Sequence, residues 1–236
     1  MPQSVFVCSN TCSIDFITPS STYANIGDVG VYIGSGIKSI LRRALATFDV
    51  FGAAASGVPL LQSDTITLAE TLCDVIGVFG PTFQVDTERL SRADYLASEA
   101  TWNNYRAPSP WTAGGGDVAV PPAAVAFTSP SGTGDQALQS NLAPFVADAV
   151  ANRGGLVLLR WKAQDENPGV TALYSVAASP SHTPPLRLRV TYLRPQPSPI
   201  DRLEAGALPG ATAMVPERPA GASPAAHAAR PEGVRD

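Results

Sequence analysis

Residues 93–117 read ADYLASEATWNNYRAPSPWTAGGGD, and the interpretation of the whole chain starts from this stretch. It places four large aromatic residues in a run otherwise built of loop-forming residues, namely Tyr95, Trp102, Tyr105 and Trp111. Aromatic side chains bury large areas, so a long loop that holds four of them is either pinned onto a core or built to present a surface. We favour the pinned loop. We predict that it is the long connection of a β-sandwich, with Trp102 and Trp111 plugging one end.

The composition favours a β domain that is rich in turns. The 236 residues include 22 prolines and 20 glycines, which favour turns over long helices, and 44% are hydrophobic, which is enough for a core. The formal net charge of −4 provides no basic field to attract nucleic acid or anionic lipid. No apolar run of about 18 residues predicts a membrane span. We therefore expect neither nucleic acid nor a membrane as a partner.

Three segments carry the clearest strand patterns. Residues 186–192 alternate between apolar and polar side chains and predict the cleanest strand of the chain. Residues 156–161 form an apolar run of strand length, which predicts a strand buried on both faces. Residues 64–73 also alternate and predict a half-buried strand. The side chains expected to face inward on this last strand are Ile66, Leu68 and Leu72.

A single segment, residues 141–151, predicts a helix, with Asn141 as its N-cap and Pro144 in its first turn. Residues 38–50 fit both the helical and the strand period, and the glycine-rich turns beside them favour a strand. Residues 118–127 carry two consecutive prolines, which predicts an edge strand or a covering segment. The fold class we predict is all-β, a jelly-roll-like antiparallel β-sandwich with one short helix.

The character of the sequence changes after Tyr192. Residues 195–236 hold eight of the 22 prolines and few large apolar side chains, so alone they bury too little surface to offset the entropy of ordering. We predict an N-terminal segment 1–13, a sandwich domain 14–192 and an extended Pro/Ala-rich C-terminal arm 193–236. The arm residues expected to bind a partner are Ile200, Leu203, Leu208, Met214 and Val215.

Several short motifs occur in a characteristic order along residues 14–192. They are the turn Asn25-Ile26-Gly27, the strand end Phe48-Asp49, the run Glu99-Ala100-Thr101-Trp102-Asn103, the run Gly115-Gly116-Asp117, and a last strand that ends in Tyr192. This arrangement resembles the DNRLRE domain family, a jelly-roll β-sandwich related to carbohydrate-binding modules, whose members also occur in phage structural proteins. The resemblance implies the sandwich fold and a ligand class of polysaccharides.

The sequence offers little for catalysis. It has no Ser-His-Asp pattern and no phosphate loop, and its two histidines are His182 and His227. Asp94, Glu99 and Asp117 lie near the aromatic residues, but a glycosidase needs two carboxylates held about 5–9 Å apart across a sugar. We therefore expect a protein that is not an enzyme and that uses no cofactor.

The three cysteines, Cys8, Cys12 and Cys73, give no closed set of disulfides because their number is odd. They are also too few for a zinc site, so we expect reduced or buried thiols and no metal site. Calcium at the loop carboxylates stays open, although no EF-hand-like spacing is present.

Two functions stay open. The first is a bacteriophage virion structural protein, most simply a capsid decoration (cement) protein or a tail accessory. It would be made in the host cytoplasm and act as a homo-oligomer or assembly component, its arm clamping neighbouring capsid or tail proteins. Residues 1–10 do not resemble a secretory signal, and a phage protein needs none because it leaves by lysis. The alternative is a carbohydrate-binding module that recognises a host polysaccharide through Tyr95, Trp102, Tyr105 and Trp111.

Overall fold

The structure is a computed structural model that describes residues 1–24, 26–32, 40–166, 172–177 and 183–196. In this described part, the strands are β1 (Gln3–Val7), β2 (Asn10–Asp15), β3 (Tyr23–Ala24), β4 (Ile26–Tyr32), β5 (Ile40–Asp49), β6 (Thr65–Phe79), β7 (Gln84–Arg89), β8 (Asn104–Arg106), β9 (Ser109–Pro110), β10 (Val125–Thr128), β11 (Gly134–Gln139), β12 (Leu156–Ala163), β13 (Ala172–Ala177) and β14 (Arg187–Leu193), with one helix, α1 (Ala143–Asn152). The predicted anchors of the arm lie outside the described residues; they are Ile200, Leu203, Leu208, Met214 and Val215.

All strand pairs within the described residues are antiparallel, and the main sheet runs in the order β1-β14-β6-β13-β4-β5-β12-β7-β10. The sheet folds over on itself, because the main hydrophobic core combines side chains from β1, β6 and β14 with side chains from β5, β7 and β12. For the residues that the structure describes, the predicted all-β antiparallel sandwich with one short helix is confirmed.

The strands β5 and β12 are neighbours in the main sheet and are buried on both faces. On each strand, successive side chains alternate between two hydrophobic clusters: Ala46 and Leu159 belong to the main core, and Leu45 and Leu158 belong to a second one. Because successive side chains of a strand point to opposite faces of the sheet, one strand can contribute to both clusters. The prediction that residues 156–161 form a strand buried on both sides is therefore confirmed.

Two other strand predictions are confirmed. The even-numbered side chains from Leu186 to Tyr192 are all buried in the main core, as the alternating pattern of residues 186–192 predicts. The strand β10 lies at the edge of the main sheet, paired with β7, which agrees with the edge position predicted for residues 118–127. The ambiguous residues 38–50 contain the strand β5.

The inward face predicted for β6 is wrong. Ile66 packs against the main core, but Leu68 is 38% exposed and Leu72 is only half-buried. The register against β14 shifts between Thr191 and Tyr192, so one extra residue of β6 is accommodated and the inward face changes from even to odd positions. The side chains that this shift turns inward are Ala69, Thr71, Cys73 and Val75.

The predicted N-cap of the helix is also wrong. Leu142 occupies the cap position of α1, and no side chain caps the helix there. The Asn141 amide instead accepts a hydrogen bond from Gln139 Nε2 at 2.7 Å and donates one to the Ala126 carbonyl at 3.4 Å. Pro144 lies in the first turn, as predicted.

The N-terminal residues 1–13, which the sequence sets apart, contribute strands to the main sheet. The strand β1 pairs with β14, with Gln3 opposite Thr191, and β2 pairs with β5. Residues Met1–Pro195 accordingly form one compact unit, which we call the body.

An ion pair holds the end of the body in place. Arg194 donates from Nε to Asp64 Oδ1 at 2.9 Å, from Nη2 to Asp64 Oδ2 at 2.6 Å, and from Nη2 to the Pro59 carbonyl at 2.8 Å. The guanidinium also lies over the ring of Tyr192, 5.1 Å from its centroid, while the carboxylate of Asp64 is fully buried. The point at which the chain leaves β14 is therefore fixed by specific contacts.

We expect Asp64→Asn to lower the free energy of unfolding at pH 7 by about 2 kcal/mol, because the carboxylate loses charge-assisted hydrogen bonds. Burial opposes the charge, but the hydrogen bonds from Arg194 and the Leu61 N–H outweigh it and lower the pKa of Asp64. The folded pKa is below the unfolded value of about 3.9, so this stabilisation is present above pH 4 and is lost as pH falls through the folded pKa. Urea unfolding of both proteins from pH 7 to pH 3 should show the difference shrinking, and a constant difference would contradict this account.

Candidate functional site

The loop of residues 93–117 covers the outer face of β2, β5 and β12. Leu45 and Leu158 point away from the main core, and the loop shields them from water, which creates the second core. The prediction that Trp102 and Trp111 plug one end of the sandwich is therefore wrong, because they cover a sheet face. The buried members of the second core are Cys12, Ile14, Leu45, Leu90, Tyr95, Ala100, Trp102, Tyr105, Trp111 and Leu158.

The four aromatic side chains of this loop are buried, with exposed fractions of 1% for Tyr95, 9% for Trp102, 8% for Tyr105 and 5% for Trp111. Two of their polar tips have partners: the Tyr95 hydroxyl donates to the Asn10 carbonyl at 2.9 Å, and Trp111 Nε1 donates to a backbone carbonyl at 2.9 Å. The structure therefore shows a loop pinned onto a core. Stacking on a sugar ring needs an exposed ring face, and these side chains offer little area for it.

Two arginines hold the glycine-rich turn at the end of the loop. The Gly115 carbonyl accepts hydrogen bonds from Arg43 Nη1 at 2.9 Å and from Arg160 Nη1 at 3.0 Å, and Arg160 also donates to the Gly116 carbonyl. Each arginine is neutralised by a carboxylate, Glu166 for Arg43 and Glu88 for Arg160. The loop is thus held to the sheet by charge-assisted hydrogen bonds as well as by apolar contact.

This turn requires glycine. The backbone of Gly115 has a φ of 86°, which side-chain-bearing residues rarely adopt, and a Cβ there would lie 2.2 Å from Nη1 of Arg43 and 2.8 Å from the ring of Trp102. The guanidinium of Arg43 lies over that same ring, 4.5 Å from its centroid. The backbone, an arginine and a tryptophan are therefore packed at close range, and only a residue without a side chain fits between them.

A surface cleft of about 720 Å³ opens beside this turn. The carboxylate of Asp117 accepts hydrogen bonds from the backbone N–H groups of Thr112 at 2.9 Å and Ala113 at 2.8 Å. Burial works against its charge, but these bonds and the nearby Arg92 outweigh the burial and lower the pKa of Asp117, so it is ionised at neutral pH. The residues that line the cleft are Arg43, Ser91, Arg92, Thr112, Ala113, Gly114, Gly116, Asp117, Val118 and Arg160.

The structure does not bring the three candidate carboxylates together in this cleft. Asp117 lines it, whereas Asp94 is about half exposed and lies 3.8 Å from Arg106. Glu99 accepts a hydrogen bond from the backbone N–H of Ala107 at 3.2 Å. Within the described residues, no three side chains of His, Cys, Asp or Glu are placed to hold a metal ion.

All three cysteines are free and buried. Burial raises the pKa of the Cys8 thiol and of the Cys73 thiol to about 12 each, and it raises the pKa of Cys12 as well. The three side chains are therefore protonated at neutral pH and act as small apolar groups in the two cores.

Sequence reasoning did not single out Arg43, Arg92 or Arg160. One signal was available for Arg160, which interrupts the apolar run of residues 156–161. A charged side chain on a strand buried on both faces requires a partner, and the partners here are Glu88 and the carbonyls of the glycine-rich turn.

No protein-family model matches the chain, and no curated protein matches it either. The resemblance to the DNRLRE domain family therefore stays a prediction. In the part of the chain that the structure describes, no helix combines the length and the apolar character needed to cross a membrane.

Proposed function

We propose that the protein is a structural component of a bacteriophage particle, as a capsid decoration (cement) protein or a tail accessory. The body attaches to the particle, and the C-terminal arm clamps neighbouring subunits. The observation that supports this proposal is the position of Arg194, the last residue before a long proline-rich segment. Its side chain is held by hydrogen bonds to Asp64 and to the Pro59 carbonyl, so the point at which the chain leaves the body is fixed.

A long segment that starts from a fixed point on the body is suited to holding a neighbouring subunit. At about 3.3 Å per extended residue, the segment after Arg194 reaches well beyond 100 Å, far enough to cross a neighbouring subunit. Its scattered large apolar residues bury too little surface alone but gain contacts on a partner. Arms that order on assembly bind through extended surfaces of this kind.

Truncation after Arg194 tests the proposal and retains the ion pair with Asp64. We expect a soluble body that melts as cooperatively as the full chain, because the buried residues that form its two cores all lie before Arg194 in the described part of the chain. We also expect this body to lose its incorporation into particles, measured by co-sedimentation. A control that ends at Arg218 keeps all five predicted anchors and should bind better than the shorter truncation. Normal incorporation of the protein that ends at Arg194 would contradict the role of the arm.

The carbohydrate-binding alternative has one observation in its favour. The cleft lies beside the glycine-rich turn, and its volume of about 720 Å³ falls within the range of about 300–1,000 Å³ that small-molecule sites occupy. The burial of the four loop aromatics weakens the alternative, because a stacked sugar needs their ring faces. A glycan-binding measurement on the Trp102 variant, described in the Discussion, separates the two functions.

A further inference from the structure

The cleft beside the glycine-rich turn contains one guanidinium that the described part of the chain does not hydrogen-bond. Arg43 and Arg160 are committed to carboxylates and to the carbonyls of the turn. Arg92 has only one ion-pair contact with the described residues, at 4.0 Å to Asp117 Oδ2, and its side chain is 41% exposed. Its donors therefore remain available to a ligand.

Arg92 is nevertheless held in position. Its guanidinium lies over the buried ring of Tyr105, 4.6 Å from the centroid, and its Nε lies 4.0 Å from Asp117 Oδ2. Stacking of this kind restricts the side chain before any ligand arrives, so binding orders fewer rotamers. Arginine is one of the residue types enriched among the anchoring residues of protein interfaces.

Two exposed apolar side chains follow Asp117 in the chain, and one of them lines the cleft. Val118 lines the cleft and is 42% exposed, and Val120 is 76% exposed. Two hydrogen bonds hold this segment to the end of β7, from the Ser91 N–H to the Asp117 carbonyl and from the Ala119 N–H to the Arg89 carbonyl. Because backbone groups alternate along an extended segment, those of Val118 point away from β7.

The occupant that fits this surface carries a carboxylate beside apolar residues in an extended segment. The arm contains such a segment at Met214-Val215-Pro216-Glu217. Pro216 disfavours the helical conformation at Val215 and favours an extended one. By contrast, Glu232 lies between two arginines with no large apolar neighbour before it, and no proline directly follows Leu203 to favour an extended conformation before Glu204.

The length of the arm permits this contact between copies. From Arg194 to Glu217 the chain reaches up to about 75 Å when extended, compared with roughly 40 Å across a domain of about 200 residues. We propose that the surface formed by Arg92, Val118 and Val120 receives residues 214–217 from the arm of a second copy of this chain, with Glu217 bound by Arg92. This inference rests on the proposed role of the arm as a clamp and names the surface that it meets.

Charge reversal on the full chain tests the inference, with self-association measured by sedimentation velocity. We expect Arg92→Glu and Glu217→Arg each to weaken association by about tenfold or more, because like charges then meet at the contact, and we expect the double variant to regain most of it. Melting temperatures establish that each variant is folded, and Arg92→Gln, which adds no like charge, provides a milder second test.

Matched controls exist on both sides of the contact. Arg106 also lies over Tyr105, at 5.7 Å, and is 45% exposed, but it does not line the cleft. Glu204 is an arm carboxylate that directly follows Leu203. We expect Arg106→Glu and Glu204→Arg to associate as the wild type does.

A wild-type chain that stays monomeric at every concentration overturns the inference, as does a folded Arg92→Glu variant that associates normally. Weakened single variants without recovery in the double variant overturn the assignment to Glu217. If truncation after Arg194 abolishes particle incorporation while the charge reversals have no effect, the proposed function stands and this inference falls. If the truncation has no effect, the proposed function falls as well.

Discussion

Trp102→Ala is expected to lower the free energy of unfolding by about 3–5 kcal/mol, the usual cost of removing a large aromatic side chain from a core. The indole packs against Phe16, with ring centroids 5.3 Å apart, and lies under the guanidinium of Arg43. Its removal opens a cavity between the loop and β5 that the surrounding glycine-rich turn cannot fill. Urea unfolding, followed by a signal that does not depend on Trp102, measures the change.

Phe16→Ala provides the control for this experiment. Phe16 touches the same indole but is 54% exposed, so its removal should lower the free energy of unfolding by less than about 1 kcal/mol.

A glycan array probed with the Trp102 variant distinguishes the two proposed functions. If the variant melts as the wild type does but loses binding to a glycan, the pinned-loop interpretation fails and carbohydrate binding through this residue gains support.

Arg160→Met is expected to lower the free energy of unfolding by about 3–5 kcal/mol, because it leaves a partly buried carboxylate without its partner. Arg160 is 7% exposed, and its guanidinium joins Glu88 to the carbonyls of Gly115 and Gly116. Methionine keeps most of the apolar stem, so the loss reflects the missing donors more than the lost volume. Chemical unfolding at low and high salt measures the loss of unfolding free energy, and a loss that is nearly the same at both salt concentrations would show that the buried contact is little screened.

Lys162→Met is the matched control on the same strand. Lys162 points to the same side of β12 as Arg160 and pairs with Asp86 at 3.6 Å, but both side chains are about one-fifth exposed. Ion pairs of this kind contribute about 0–1 kcal/mol, so this variant should be close to the wild type. Equal losses of unfolding free energy in the two variants would show that the hydrogen bonds from Arg160 to the glycine-rich turn add no stability beyond that of an ordinary ion pair on this strand.

The sequence alone predicted which side chains are buried wherever the local alternation of apolar and polar residues coincides with the two faces of a strand. The even-numbered positions of residues 186–192 face the core, and residues 156–161 are buried on both faces, because in both segments each side chain keeps the face that the period of two assigns. The burial of the four loop aromatics was favoured by a different argument, since that much apolar area in one loop is stabilised by covering a core.

Other features depended on contacts between residues that are distant in the sequence. The inward face of β6 changes because the register shift is set by pairing with β14, and no local pattern within residues 64–73 encodes it. Asn141 leaves the cap position because its amide finds partners at Gln139 and Ala126. Hydrogen bonds of that kind depend on which segments the fold brings together.

The sequence by itself predicted an antiparallel β body and the burial of residues 156–161 on both faces, and it favoured a loop that packs against a core. Only the tertiary structure decided that this loop covers the outer face of β5 and β12, and that Arg43 and Arg160 hold it there. The physical reason is that hydrophobic burial is not directional and requires only that apolar area be covered. Hydrogen bonds and ion pairs are directional, so the place where the loop attaches depends on partners that come together only in the folded chain.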